Sequence, residues 1–295
     1  MEEGHIDHLV RRAIARGLEP VTAIRMATLN PAEYFRLYDR GAIAPGRRAD
    51  LVVFDSFHNL AIEAVFRGGQ RVAVHGQLAP WPRSPHQPTV RSSINVAWEQ
   101  VDLRVPARGS KIRVIGARAG DLRTQHLVEP AKIEDGAAVA DVERDLLKLA
   151  VIERHLASGN VGKGFVRGFG LQRGALASTV AHDHHNLIVL GADDQSMMTA
   201  ARAVVEMRGG MAVAEGEEVL ARLALPIAGL MSDRSIERVR ADLDELSRAA
   251  RQLGATMPDP FMALSFLGLE VIPSLKLTDR GLVDVDRFRL VPLFI

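Results

Sequence analysis

The sequence contains no cysteine, and that absence removes disulfides, thiolate catalysis and every cysteine-ligated metal site. It also excludes the nucleobase deaminases whose zinc sits in a PCxxC motif. Charge of one sign is equally lacking: a formal net charge of +1 gives no electrostatic reason for a nucleic acid or an anionic membrane as partner, and neither is expected. No apolar run approaches the ~18 to 20 residues of a membrane span. Internal repeats of fixed period and low-complexity segments are missing. The opening MEEGHIDHL is acidic and polar rather than signal-like, so the expected compartment is the cytoplasm. What is there is globular in character: 295 residues, 47% hydrophobic and 25% charged, enough for two domains or one large domain with an appendage.

The stretch that concentrates chemistry is residues 174–191, GALASTVAHDHHNLIVLG. Two apolar runs, 175–181 and 187–190, bracket His182, Asp183, His184, His185 and Asn186. Short apolar runs bounded by glycines read as strands buried on both faces. The polar quintet therefore belongs at a strand end or in the tight connection after it. There its side chains must pair with one another or face a cleft, because burying them unpaired costs several kcal/mol.

Along the chain, Ile6, Leu9, Val10, Ala13 and Ile14 recur at helical spacing within 3–18, with Gly17 as the stop. Pro20 opens a second helix through Met26, and Asn30-Pro31 predicts the cap and first turn of a third, through Phe35. A turn at Pro45-Gly46, a strand over 50–54, and runs at 61–66 and 71–74 around Gly68-Gly69 predict a small all-β module with a hairpin. Four prolines within 80–88 predict a linker and a domain boundary. Beyond it, strands at 112–115, 146–152, 211–213 and 219–223 alternate with helices at 194–207 and 235–253. The second helix is expected to carry Ile236, Val239, Leu243, Leu246 and Ala250 on one face, and Gly254 to stop it. The fold class expected is α/β (α+β), over segments 1–38, 39–88 and 89–295.

His182 and His184 form an HxH, whose imidazoles point the same way if the segment is a strand and can then share a divalent ion; the alternative is a hydrogen-bonded polar loop. Asp183 beside His182 or His185 offers a proton-relay pair, against a structural hydrogen bond. His5, Asp7 and His8 read as a solvated helix face. GKGFVRGFG, at 162–170, lacks phosphate-loop spacing and reads as a mobile loop, with Lys163, Arg167 and Arg173 available to steer an anion or cover a cleft. Met197, Met198 and Met207 read as core fillers.

Several strings then point to a family. GHIDHLVRRAIARG, MATLNPAEYF and RGAIAPGRRADLVVFD resemble the close of an amidohydrolase barrel and its return into the superfamily's β-sandwich. GFGLQRGALASTVAHDHHNLIVLG, LPIAGLMSD, PFMALSFLGLEVIP and LKLTDRGLVDV resemble the C-terminal domain of bacterial adenine deaminases. The resemblance covers essentially the whole chain. It implies a barrel remnant over 1–38, part of a β-sandwich and the linker over 39–88, and an adenine deaminase C-terminal domain over 89–295. It further implies hydrolytic deamination of adenine to hypoxanthine and ammonia by metal-bound hydroxide, with manganese, iron or zinc held by barrel residues.

Nearly all of that barrel is expected upstream of this sequence, so no catalytic or metal residue carries over and no metal is expected on this chain alone. The family pattern AHDSHN has a serine where this sequence has His184, which argues against a metal pair there. His182, Asp183, His185 and Asn186 match the pattern and are the candidates to face the active site of the intact enzyme. The expected partners are adenine in that enzyme, and a separate barrel chain or a second copy of this chain. The alternative role is a non-catalytic assembly, regulatory or nucleobase-binding subunit. An apolar helix face at Ile6, Leu9, Val10 and Ile14 without its barrel is expected to be adhesive.

Overall fold

The two glycine-bounded apolar runs pair with each other as antiparallel strands in the middle of an eight-stranded sheet. The computed structural model describes residues 4–80 and 91–295. The chain divides into two units, Met1–Pro88 and Thr89–Ile295. Apart from Pro80, the proline-rich linker of 80–88 lies outside the described residues.

The first unit carries α1 (Ile6–Ala15), α2 (Pro20–Ala27) and α3 (Leu29–Tyr34), followed by β1 (Leu51–Phe54), β2 (Ile62–Arg67), β3 (Gln70–Val74) and β4 (Gln77–Leu78). The four strands form one antiparallel sheet in chain order. The predicted hairpin is present: Gly68 and Gly69 both adopt positive φ, 56° and 81°, the conformation a two-residue turn of this hand requires. Glu19 caps α2 by accepting from the backbone N–H groups of Val21 and Thr22. The third helix departs from expectation, because its N-cap is Thr28 and Asn30 lies inside the first turn. Helix α1 buries none of its residues, and Ile6 and Leu9 are 47% and 58% exposed.

The second unit contains β5 (Lys111–Arg118), β6 (Asp121–Pro130), β7 (Lys132–Glu134), β8 (Ala137–Val139), β9 (Leu146–Ile152) and β10 (Val161–Arg167). There follow β11 (Ala175–Ser178), β12 (Leu187–Gly191), α4 (Asp194–Glu206), β13 (Gly210–Glu215), β14 (Glu218–Ala224), α5 (Ile236–Gln252), α6 (Pro260–Phe266), β15 (Leu275–Thr278), β16 (Gly281–Asp284) and β17 (Arg289–Val291). The large sheet runs β14-β13-β11-β12-β9-β10-β5-β6 and is antiparallel except where β10 meets β5.

Alternation along the central strands explains the layering. Ala177 and Val189 pack with Met197, Ala200 and Val204 of α4 on one face. Leu176, Ile188 and Leu190 pack with Leu246 and Ala250 of α5 and with Leu264 of α6 on the other. Both faces are covered, which is why β9, β11 and β12 are buried at every position and almost wholly apolar. Asp193 and Ser235 cap α4 and α5 through side-chain acceptors. Gly254 at φ +101° ends α5. Ile236, expected on the apolar face of α5, is instead 63% exposed at its first turn.

The largest correction concerns GKGFVRGFG. Most of it is β10, between β9 and β5 inside the sheet, with Phe165 and Val166 fully buried. Its glycines serve close packing rather than mobility: a Cβ on Gly162 would fall onto the Thr278 carbonyl, and one on Gly164 would crowd Leu282. The basic residues are committed as well. Lys163 donates to the carbonyls of Asp102 and Arg104, Arg167 pairs with Glu129, and Arg173 pairs with Glu215. Met197 is fully buried in the α4 face, with Met198 and Met207 packed at its edge.

Candidate functional site

Residues 182–186 are the latter part of the connection 179–186 between β11 and β12, in a turn rather than an extended strand. The two imidazoles of the HxH therefore lack the strand geometry that would aim them together. Among the described residues, no group of three or more His, Asp or Glu is arranged to hold a metal ion. The divalent metal that the amidohydrolase resemblance implies finds no fitting donor set here, and no chemical step is assigned through it.

Each member of the quintet has its own fixing. His182 donates its backbone N–H to Ser265 O at 2.9 Å, and its ring lies 4.6 Å from the Phe266 ring, so the end of α6 sets its position. Asp183 is exposed, and among the described residues it makes no hydrogen bond to either neighbouring imidazole, so the relay pair is not formed. His184 accepts the Asn186 N–H on Nδ1 at 3.0 Å, which places its own proton on Nε2; that nitrogen is buried against Gly268 without a hydrogen-bond partner among the described residues. Burial lowers the His184 pKa, partly opposed by the charges of Glu270 and Asp279. His185 takes a positive φ of 50°, and its pKa is lowered by burial and by the neighbouring His182 and Arg154. Asn186, buried, donates to Asp279 Oδ1 at 3.2 Å, and the same carboxylate accepts from Asn160 at 3.1 Å through Oδ2.

Arg154 ties this connection to two other segments, and no sequence motif singled it out. Its side chain is 1% exposed. Nε donates to His185 O at 2.6 Å, one terminal nitrogen to Ser93 O at 3.0 Å, and the other to Ala228 O at 3.0 Å. The guanidinium lies so close to Gly229 that a Cβ there would meet it at 2.8 Å. Its neighbour Glu153 turns the other way and accepts from the backbone N–H groups of His155, Leu156 and Ser158. Burial works to raise the Glu153 pKa, but those bonds together hold it below the ordinary value. His155 then donates through Nε2 to His184 O at 2.8 Å. The available signal was Glu153-Arg154-His155, a polar triplet directly after the seven buried positions of β9.

The arrangement is a polar turn locked by hydrogen bonds with Arg154, His155, Asp279 and Ser265, with the Asp183 carboxylate presented to solvent and the His182 ring partly exposed. Such a turn can offer acceptors and a ring face to a polar heterocycle, but it contains no assembled nucleophile.

Comparison with known proteins adds a second line. The family model of the adenine deaminase C-terminal domain matches residues 121–289, and that of the amidohydrolase family matches residues 2–75. An adenine deaminase of Desulfatibacillum aliphaticivorans is 50% identical over 294 residues, covering 100% of this chain and 52% of its own length. That of Oleidesulfovibrio alaskensis is 49% identical over 298 residues, covering 100% and 51%. That of Methanothrix thermoacetophila is 46% identical over 292 residues, covering 98% and 51%. The chain spans about half the length of the curated relatives it matches.

Proposed function

The chain belongs to the adenine deaminase C-terminal domain family, and from that premise we propose that it serves hydrolytic deamination of adenine to hypoxanthine and ammonia. In this reading the residues that hold the divalent metal, manganese, iron or zinc, lie in a barrel outside this chain, and the chain alone has little or no activity. Segments 1–38, 39–88 and 89–295 act as barrel remnant, sandwich part with linker, and C-terminal domain. The setting is purine salvage or catabolism in the cytoplasm; no described helix is long and apolar enough to cross a membrane.

The role assigned to this chain is to close or position the adenine site through His182, Asp183, His185 and Asn186. The observation that carries it is the locked turn: Arg154, His155, Asp279 and Ser265 all fix it by hydrogen bonds while Asp183 stays exposed. Fixing a polar turn so thoroughly is what presenting groups to a ligand requires.

A second reading is favoured by the apolar face of α1, where Ile6 and Leu9 stand exposed. On it, the chain is an assembly or nucleobase-binding subunit beside a separate barrel chain or a second copy of itself. Ammonia release from adenine distinguishes the two, measured for the chain alone and for the chain fused behind the N-terminal half of the Desulfatibacillum aliphaticivorans relative. The first reading expects turnover only in the fusion. A folded, metal-loaded fusion that binds adenine without turning it over supports the second.

A further inference from the structure

His184 holds the polar turn through the same nitrogen that would take up a proton. Its Nδ1 accepts the Asn186 N–H at 3.0 Å, so Nδ1 is the lone-pair atom of the neutral ring and Nε2 carries the hydrogen. A neutral imidazole is protonated only at its lone pair, and an Nδ1–H cannot accept the Asn186 N–H. The imidazolium is therefore incompatible with the turn as folded. The other ring nitrogen offers no compensation. Nε2 is buried without a partner among the described residues and lies against Gly268, where an added Cβ would meet it at 2.7 Å.

The titratable groups that act on this ring are Glu270 beyond α6, Asp279 in the β15–β16 turn, His155 after β9, and His185 in the polar turn itself. His182, Asp183 and Arg154 act on the adjacent His185. Most of these groups already have partners: Asp279 accepts from Asn186 and Asn160, His155 is bonded to the His184 carbonyl, and Arg154 donates to His185 O. Glu270 differs, because its Oε2 is buried and accepts no hydrogen bond among the described residues. A carboxylate oxygen lacking a donor, within electrostatic reach of an imidazole N–H lacking an acceptor, is ready to receive a charged ring. Burial keeps His184 neutral by lowering its pKa, and the charges of Glu270 and Asp279 pull the other way.

We propose that His184 is a proton-operated latch on the turn at 182–186: the neutral ring holds the Asn186 N–H and keeps the turn closed, whereas protonation at Nδ1 releases that N–H and turns the imidazolium toward the Glu270 carboxylate. The only bond made is Nδ1–H, with a proton from solvent, and deprotonation recloses the turn. The latch is a property of this chain alone. That its opening displaces His182 and Asp183 from adenine, so that acid pH weakens substrate binding, rests on the reading proposed above.

The test is NMR on the 295-residue chain, following the His184 Cε1–H resonance and the exchange protection of the Asn186 amide from about pH 8 to about pH 5. As the ring titrates, Asn186 protection is expected to fall by at least about tenfold while amides of β9 keep theirs. His184→Asn, whose side-chain oxygen still accepts the N–H and does not titrate, is expected to keep Asn186 protected throughout. Glu270→Gln is expected to move the midpoint to lower pH by removing the attraction for the imidazolium. Asn186 protection unchanged through the ring's titration, a ring still neutral at about pH 5, a loss shared equally by β9 or by His184→Asn, or an unmoved midpoint in Glu270→Gln would overturn the proposal. In the barrel fusion, KM for adenine is expected to rise toward acid pH, and to rise less in His184→Asn. A latch that opens in the NMR titration while KM of the fusion ignores it would leave the latch standing and contradict the placement of the turn at the adenine site.

Discussion

The ring of His182 packs 4.6 Å from the ring of Phe266, centroid to centroid, while its backbone N–H bonds to Ser265 O. The last turn of α6 therefore sets the position of the first residue of the polar turn. Phe266→Ala is expected to cost about 2 kcal/mol in urea denaturation, below the range for a fully buried phenylalanine because this one is half-buried. It should also speed hydrogen exchange at residues 182–186 more than at β9.

Arg154→Met should be the most damaging single change around the turn. It leaves the carbonyls of Ser93, His185 and Ala228 without their donor. At ~1 kcal/mol for each of these part-buried acceptors, a loss of about 3 kcal/mol is expected, read from the denaturation midpoint. Exchange protection should fall together at residues 93–95, 185–186 and 228–231.

Gly162→Ala tests whether β10 is core. The added Cβ meets the backbone carbonyl of Thr278, which cannot swing aside as a side chain can. The strand and the β15–β16 hairpin must separate, at a cost of about 2 kcal/mol or more. A mobile loop would tolerate the same substitution with no change in melting temperature.

Two pH effects follow from burial, and both make stability rise with pH. His184 and His185 have lowered native pKa values, so below about pH 6.5 the unfolded chain binds more protons and stability is lost as the pH falls. The loss between about pH 7.5 and 5.5 should shrink in His184→Asn, which keeps an acceptor for the Asn186 N–H. Lys276, lowered to about 8 from the ordinary 10.5, acts in the alkaline window. There the native chain sheds its proton before the unfolded chain does, so the burial penalty is relieved as the pH rises. Between about pH 7.5 and 9.5 the wild type should gain about 2 kcal/mol relative to Lys276→Met, since a tenfold change in a proton-binding constant is worth ~1.4 kcal/mol.

The local elements were largely legible in the sequence, because the cues were local. Gly68-Gly69 marked its hairpin, the helices read at 194–207 and 235–253 are present, and the apolar runs at 146–152 and 187–190 had the length and composition of strands covered on both faces. Partnership was not legible. GKGFVRGFG looked like a loop because its glycines suggest freedom, whereas Gly162 and Gly164 are small so that the distant hairpin at 275–284 can approach. The polar turn was found from its composition, but what holds it was not. Arg154, Ser265 and Asp279 are distant in sequence; Ser265 acts through its own carbonyl and Arg154 bonds to backbone carbonyls of other segments, which no side-chain motif records.

The central claim is that the turn at 182–186 faces the adenine site of an intact deaminase. Its most direct test is the kcat and KM for adenine of the barrel fusion described above, compared with its His182→Ala and Asp183→Ala variants. Asp183 is exposed and His182 partly so, and the prediction is a fall in kcat/KM of about tenfold or more in each variant, with the melting temperature of Asp183→Ala unchanged. Unaltered kcat and KM in both variants would contradict the account.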